Sequence, residues 1–243
     1  MNYSKEETIV VMCNGKSVLN ADFDLLSRVS TFGLNMAYKW YYKNDWWPTY
    51  HGSFDYKINR DFHEPLMKMM EDNTPIQKFF YVEKYKTNSS KFFHINLNRE
   101  YDDAGGKWNN SEKSFNKFHH FGNSGTNACS VAAALGYKNI LLLGADNTQQ
   151  DMYDGVKELN NNELVMTKTP DLNPCYWFNY YFEKGDTFNK PRKNVYHTPW
   201  WSIFSEMAKE NNVKVVNCSD VSHENALTCF DVGDINDEIK KVI

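Results

Sequence analysis

The segment Asn123 to Asp146, NSGTNACSVAAALGYKNILLLGAD, constrains the fold of this chain more than any other. Its NSG start leads into an Ala-rich stretch, from about Thr126 to Leu135, that predicts a helix ended by Gly136. It finishes in the continuous apolar run Asn139 to Gly144. A strand that is apolar on both sides must be covered on both sides, as parallel strands inside an α/β sheet are. The first apolar run, Thr8 to Cys13 (TIVVMC), has the same character and stops at the turn Asn14-Gly15-Lys16-Ser17. Phe23, Leu25, Leu26 and Val29 fall at helical spacing over Asn20 to Val29, and Thr31 to Asn35 reads as the next strand, which completes a βαβ unit. The expected fold is α/β, a Rossmann-like, mostly parallel sheet flanked by helices, with its ligand site at the carboxyl ends of the strands.

Further strands are expected at Pro48 to Ser53, Ile76 to Val82, Phe92 to Leu97 and Val213 to Asn217, and helices at Phe62 to Glu71 and Pro199 to Asn211. Residues from about 147 to 194 are polar, Asn-rich and aromatic with little periodicity. That is longer than a compact domain spends on a plain connection, so a lid or substrate loop is expected there. With 243 residues, 41% of them hydrophobic, the chain can bury one substantial core, and a single nucleotide-binding domain over 1–243 is expected.

Composition narrows the partners. The formal charge of −4 offers no broad reason to hold a polyanion, so general nucleic-acid binding is not expected. No stretch reaches the roughly 20 apolar residues of a membrane helix, and the start MNYSKEE lacks a secretory pattern, which predicts a cytoplasmic protein. Five widely spaced cysteines suggest reduced thiols rather than a disulfide framework or a zinc site. The abundance of Asn, Lys and Tyr fits an AT-rich bacterial or phage genome. A homo-oligomer is compatible with all of this.

Several residues carry chemistry on their own account. The turn Asn14-Gly15-Lys16-Ser17 follows a strand, where a glycine and backbone N–H groups admit an anion, although an ordinary βα turn looks the same. In Asn123-Ser124-Gly125-Thr126, Ser124 can cap the next helix and Gly125 allows close approach of a phosphate to its positive end. Asp146 follows a buried strand, where it can orient a sugar or base hydroxyl or simply open a turn. His197 precedes a helix; it is either a general base or a helix-start histidine. Asp22-Phe23-Asp24 matches the D-x-D of metal-binding glycosyltransferases but opens a helix, where acidic residues are favourable without a metal. His119-His120 has no third ligand at suitable spacing, so no metal site is expected. Trp46-Trp47 and Trp200-Trp201 can stack on a sugar or base, or pack in the core.

Taken in order, these segments resemble the bacterial sialyltransferases of glycosyltransferase family 42 and the related motility-associated-factor glycosyltransferases. VVMCNGKSVL resembles the opening N-G-x-S-L element, and FGLNMAYKW resembles the second strand, whose asparagine approaches the donor. The block NSGTNACSVAAALGYKNILLLGAD resembles the nucleotide-binding element. VYHTPWWSIFSEMAKENNVKVVNCS resembles the late element with the catalytic histidine. The resemblance implies catalytic roles for His197 and Asn35, and donor contacts from Asn14, Gly15, Ser17, Asn123, Ser124, Gly125, Asp146, Thr148 and Tyr153, with Tyr180 as a further lid contact. Where the family has tyrosines after G-x-D, this chain has Asn147, Thr148 and, further on, Tyr153; the family's arginine before S-G is missing.

The implied activity is metal-independent transfer of a sugar from CMP-sialic acid or another nucleotide sugar to a hydroxyl of a glycan or other acceptor. His197 would be the base, the nucleotide sugar would be a substrate, and no resident cofactor is expected. Two alternatives stand beside it: diphosphate transfer from ATP, as in the similar pterin diphosphokinases, and a non-catalytic nucleotide-binding or structural module.

Overall fold

The structure, a computed structural model, describes residues 3–95, 97–98, 118–119, 122–149, 152–190 and 197–243. The chain begins with β1 (Thr8–Met12), a short 3-10 turn (Lys16–Asn20), α1 (Phe23–Leu26), β2 (Ser30–Leu34) and α2 (Tyr38–Asn44). Then come β3 (Tyr50–Ser53), α3 (Tyr56–Asp61), α4 (His63–Glu71), β4 (Lys78–Tyr81) and β5 (Phe92–His94), followed by the short pair β6 (Leu97–Asn98) and β7 (Phe118–His119). The second half holds α5 (Ser124–Ala134), β8 (Asn139–Leu143), β9 (Val156–Asn160), β10 (Glu163–Met166) and β11 (Thr187–Asn189). It ends with α6 (Thr198–Glu210), β12 (Lys214–Asn217), β13 (Asp231–Val232) and α7 (Ile235–Lys240).

Eight strands form one sheet in the order β13-β12-β8-β1-β2-β3-β4-β5, and every pairing in it is parallel. Residues alternate between faces along a strand, so β1 sends Ile9 and Val11 into one core and Val10 and Met12 into the other, all buried. The side of Ile9 is covered by α5 and α6 through Ala128, Cys129, Ala132, Trp201, Phe204 and Ala208. The opposite side is covered by α2, α4 and α7, with Tyr41, Leu66, Met69, Ile235 and Ile239 in its core. This double coverage is why β1 and β8 read as unbroken apolar runs. No helix among the described residues is long and apolar enough to cross a membrane.

Three sequence expectations are corrected. The helix expected over Asn20 to Val29 is only the single turn α1, entered from the 3-10 turn Lys16–Asn20. Asp22 caps it, accepting from the Asp24 and Leu25 N–H groups, so the D-x-D pair serves the helix start. The helix expected to be capped by Ser124 is capped by Asn123, whose side chain accepts from the Thr126 N–H at 2.9 Å; Ser124 is its first residue. The segment from 147 to 194 contains a three-stranded antiparallel sheet, β11-β10-β9, in place of an aperiodic loop. In β10 only Leu164 and Met166 are buried, and in β9 only Val156, so the alternation is too short to register as a period in the sequence.

Candidate active site

The strand order reverses between β1 and β8: β2 to β5 run outward on one side, β12 and β13 on the other. At such a switch point the loops leaving adjacent carboxyl ends diverge and open a crevice. The two loops here are Cys13–Ser17 and Gly144–Asp146, and they are tied together. The Gly15 N–H donates to the Gly144 carbonyl at 2.8 Å and the Ser17 N–H to Asp146 Oδ2 at 2.8 Å. The Ser17 hydroxyl also donates to Asp146 Oδ1 and receives the Gly144 N–H at 3.1 Å. Asp146 is buried, and its Oδ1 additionally faces the Asp220 N–H at 3.4 Å. Gly15, Ser17 and Asp146 are thus brought together, with these polar groups turned on one another as the floor of the crevice. Cys13 borders the floor; burial, and then the Asp146 charge, push its thiol up to about 12, so it is protonated and unreactive at neutral pH.

Beside this floor the structure gathers Asn14, Asn35 and the start of α5. Asn14 Nδ2 donates to the Leu34 carbonyl at 3.2 Å, which links the β1 and β2 ends. Asn35 leaves β2 in the left-handed region, φ 53°, a conformation asparagine tolerates better than most residues. Its Nδ2 donates to the Ser124 hydroxyl at 3.2 Å, across 89 residues of sequence. α5 is eleven residues long, and the residues around its first turn lie against neighbouring elements: a side chain on Gly125 would strike Cys13 and the Trp201 ring, and one on Gly122 the Trp200 ring. The first turn of a helix carries unpaired N–H groups and a partial positive charge, which suit a phosphate oxygen.

His51 went unnoticed in the sequence because nothing marks a histidine within a strand as special. It is fully buried on β3, with Nε2 3.1 Å from the Asn35 carbonyl and Nδ1 3.1 Å from the Tyr81 hydroxyl. Burial pushes its ring down to about 3, against the opposing pull of the Asn35 carbonyl. Above pH 6.5 the ring is neutral in both folded and unfolded chains and its contribution is fully present. Below that the unfolded chain takes up the proton first, so stability falls with pH until the folded ring titrates near 3. The expected loss is about 2 kcal/mol between pH 6.5 and pH 5. Urea unfolding at both pH values measures it, and a His51→Gln protein with the same loss would place the proton elsewhere.

The inserted sheet is docked on the α2 side of the main sheet through Leu164, Met166, Trp177, Phe178, Tyr181, Phe182 and Phe188. Ion pairs from Lys57 to Glu163 (2.6 Å) and from Lys39 to Glu183 and Asp186 (3.0 Å each) hold its rim. Of the two expected lid tyrosines, Tyr153 directs its hydroxyl at Met166 within the insertion, and Tyr180 packs under Lys43 beside α2. The residue of the same aromatic run that reaches the site's backbone is Trp177. The Trp177 backbone N–H donates to the Asn14 carbonyl at 3.3 Å. Thr148 lies half-exposed just after Asn147, whose side chain donates to the Asn225 carbonyl at 3.3 Å.

His197 stands at the N-cap of α6 with no capping bond from its side chain, and its carbonyl accepts from Trp200 and Trp201, the two rings that pack on Gly122 and Gly125. The start of α6 therefore lies beside the start of α5. Trp201 is buried in the core against Phe204 and Phe230, while Trp46 is half-buried at the core's edge, packing on Phe23 and donating to Ser27. His120 lies outside the described residues. Among the described residues no group of three or more His, Cys, Asp or Glu gathers in a metal-binding arrangement.

No protein-family model and no curated protein matches the chain. Solved structures do. The monofunctional α-2,3-sialyltransferase Cst-I from Campylobacter jejuni shares 18% identity over 96% of this chain and 82% of its own, with a TM-score of 0.50. The sialyltransferase CST-II, in complex with a trisaccharide acceptor and CMP, gives 13% identity over 86% and 80%, with a TM-score of 0.43. The Maf glycosyltransferase from Magnetospirillum magneticum AMB-1 gives 11% identity and a TM-score of 0.46; 90% of this chain corresponds to 33% of that one. The chain has an α/β fold similar to that of Cst-I, with a fully parallel main sheet among its described strands.

Proposed function

We propose that this protein is a glycosyltransferase that moves a sugar from a nucleotide-sugar donor, CMP-sialic acid or a relative, to a hydroxyl of a glycan or other acceptor. The observation that carries the reading is the meeting of Asn35 Nδ2 with Ser124 at the first turn of α5, beside the switch point of the sheet. An amide N–H, a hydroxyl and a helix start converge where the phosphate of a departing nucleotide gains negative charge as its bond to the sugar breaks. His197 takes the proton of the acceptor hydroxyl as that oxygen bonds to the anomeric carbon, and the nucleotide leaves with the bonding pair in one inverting displacement. Asn14, Gly15, Ser17, Asn123, Gly125 and Asp146 shape the donor crevice, Thr148 belongs to its rim, and the docked insertion keeps water out. The reaction uses no metal and no resident cofactor.

Thermal-shift measurements with CMP, UDP, GDP and ATP, each with and without Mg²⁺, test the reading. A ligand at a hundred times its Kd adds about 2.7 kcal/mol, roughly 5–10 °C for a chain of this size. A shift with CMP, UDP or GDP that is indifferent to Mg²⁺ is the expected result. A shift confined to ATP with Mg²⁺ would replace sugar transfer by diphosphate transfer, and no shift with any nucleotide would sink both.

A further inference from the structure

Asn35 is an unusual place to anchor a leaving group, because its backbone sits at φ 53°, in the left-handed region that few non-glycine residues occupy. Three neighbours hold it, and all come from β3 or the residue that follows it. The His51 ring meets the Asn35 carbonyl, while Asn35 Oδ1 accepts from the Phe54 N–H at 3.3 Å and the Ser53 hydroxyl at 3.5 Å. With Oδ1 committed to that side, the amide plane has one orientation, and Nδ2 must face Ser124. Nδ2 carries two hydrogens; the one not given to Ser124 is the donor a phosphate oxygen would receive.

We propose that His51, backed by Tyr81, is the positioning residue that locks the left-handed backbone of Asn35 and so aims its amide at the leaving group. This deepens the transferase reading and rests on it for its consequence in turnover. A carbonyl can only accept, so Nε2 carries the ring proton; the buried ring is neutral, so Nδ1 is bare and accepts from the Tyr81 hydroxyl. Tyr41, edge-on to the ring at 6.0 Å, and Tyr81 are the titratable groups that face it, and neither is charged at neutral pH. The ring is thus a fixed donor on one side and a fixed acceptor on the other, with no part in proton transfer. Ser53, two residues along the same strand, is held in turn by Asn59 Nδ2 at 2.9 Å, so the clamp is backed at both points.

The replacements follow from where each side chain puts its nitrogen. Glutamine reaches the position of Nε2 and keeps the donor to Asn35; asparagine reaches only the position of Nδ1 and loses it; leucine loses both. With the donor nucleotide sugar found by screening, His51→Asn and His51→Leu are expected to lower kcat about 10- to 100-fold with KM for the donor within about threefold, while His51→Gln keeps kcat within about fivefold. A His51→Asn enzyme at native kcat, in a protein where Asn35→Ala is impaired, would overturn the proposal. If Asn35→Ala itself turns over normally, it is the leaving-group role of Asn35 that fails. The clamp is then read without activity, from the ring-nitrogen NMR of His51 and the Asn35 side-chain amide signals. The unaltered protein is expected to show a neutral ring protonated at Nε2 at pH 6, with Asn35 signals that move in His51→Asn and stay in His51→Gln. A ring protonated at Nδ1, or cationic at pH 6, would overturn the proposal even if no variant folds.

Discussion

Replacing His197 by alanine is expected to lower sugar transfer by about 10²- to 10⁴-fold while leaving donor-nucleotide binding intact, the range by which a positioned base accelerates proton removal from a hydroxyl. His197 occupies the N-cap of α6 through its backbone, its side chain makes no capping bond, and the carbonyl that receives Trp200 and Trp201 is unchanged in alanine. The start of α6 should therefore keep its packing on Gly122 and Gly125. Two measurements separate the base from a merely local role: the nucleotide-induced thermal shift, which should persist, and the pH dependence of kcat/KM, whose acidic limb should vanish with the imidazole. Transfer within threefold of the native rate would move the base to another residue.

Gly15→Ala is expected to cost about 3 kcal/mol of stability and to abolish the nucleotide-induced shift, since an overfilled site displaces its neighbours. A methyl group there would lie 2.5 Å from Asp146 Oδ2 and 2.7 Å from the Gly144 carbonyl. The second contact is with backbone at the end of β8, which cannot swing aside as a side chain can. Relief of either contact pulls apart the bonds that join the β1 and β8 loops, from Gly15 to Gly144 and from Ser17 to Asp146. Buried Asp146 then loses donors it depends on. Gly136→Ala is the control for backbone strain without a clash, because a methyl group at Gly136 meets nothing while its φ of 102° disfavours any side chain. Urea unfolding and the nucleotide shift of both proteins make the comparison; a Gly15→Ala protein as stable as native would mean that the two loops are not coupled as described.

Much of the frame was legible because it rests on short-range patterns. TIVVM and NILLL are apolar at every position, a requirement for strands covered on both faces, and they became the neighbouring strands β1 and β8. The family resemblance implied donor-side roles for Asn35, Ser124 and Gly125; the direct hydrogen bond between Asn35 and Ser124 was visible only in the structure. The helix over Asn20 to Val29 misled because Phe23, Leu26 and Val29 recur at three-residue spacing, yet the helix has only one turn of chain between Asp22 and Ser27.

By itself the sequence determined which segments would be buried from both sides, where the chain would turn at the ends of those strands, and that Asn14, Asn35 and Ser124 would follow or precede core elements. Those properties follow from hydropathy and backbone preference over a few residues. Only the tertiary structure decided what each polar group does once there. Asp146 is bound to Ser17, 129 residues away; Trp177, not Tyr153 or Tyr180, touches the backbone of the site; and His51 holds Asn35 from the next strand. The physical reason is that burial can be read from a residue's own chemistry, whereas a buried polar group is defined by its partner, and the partner is chosen by how distant strands are brought side by side.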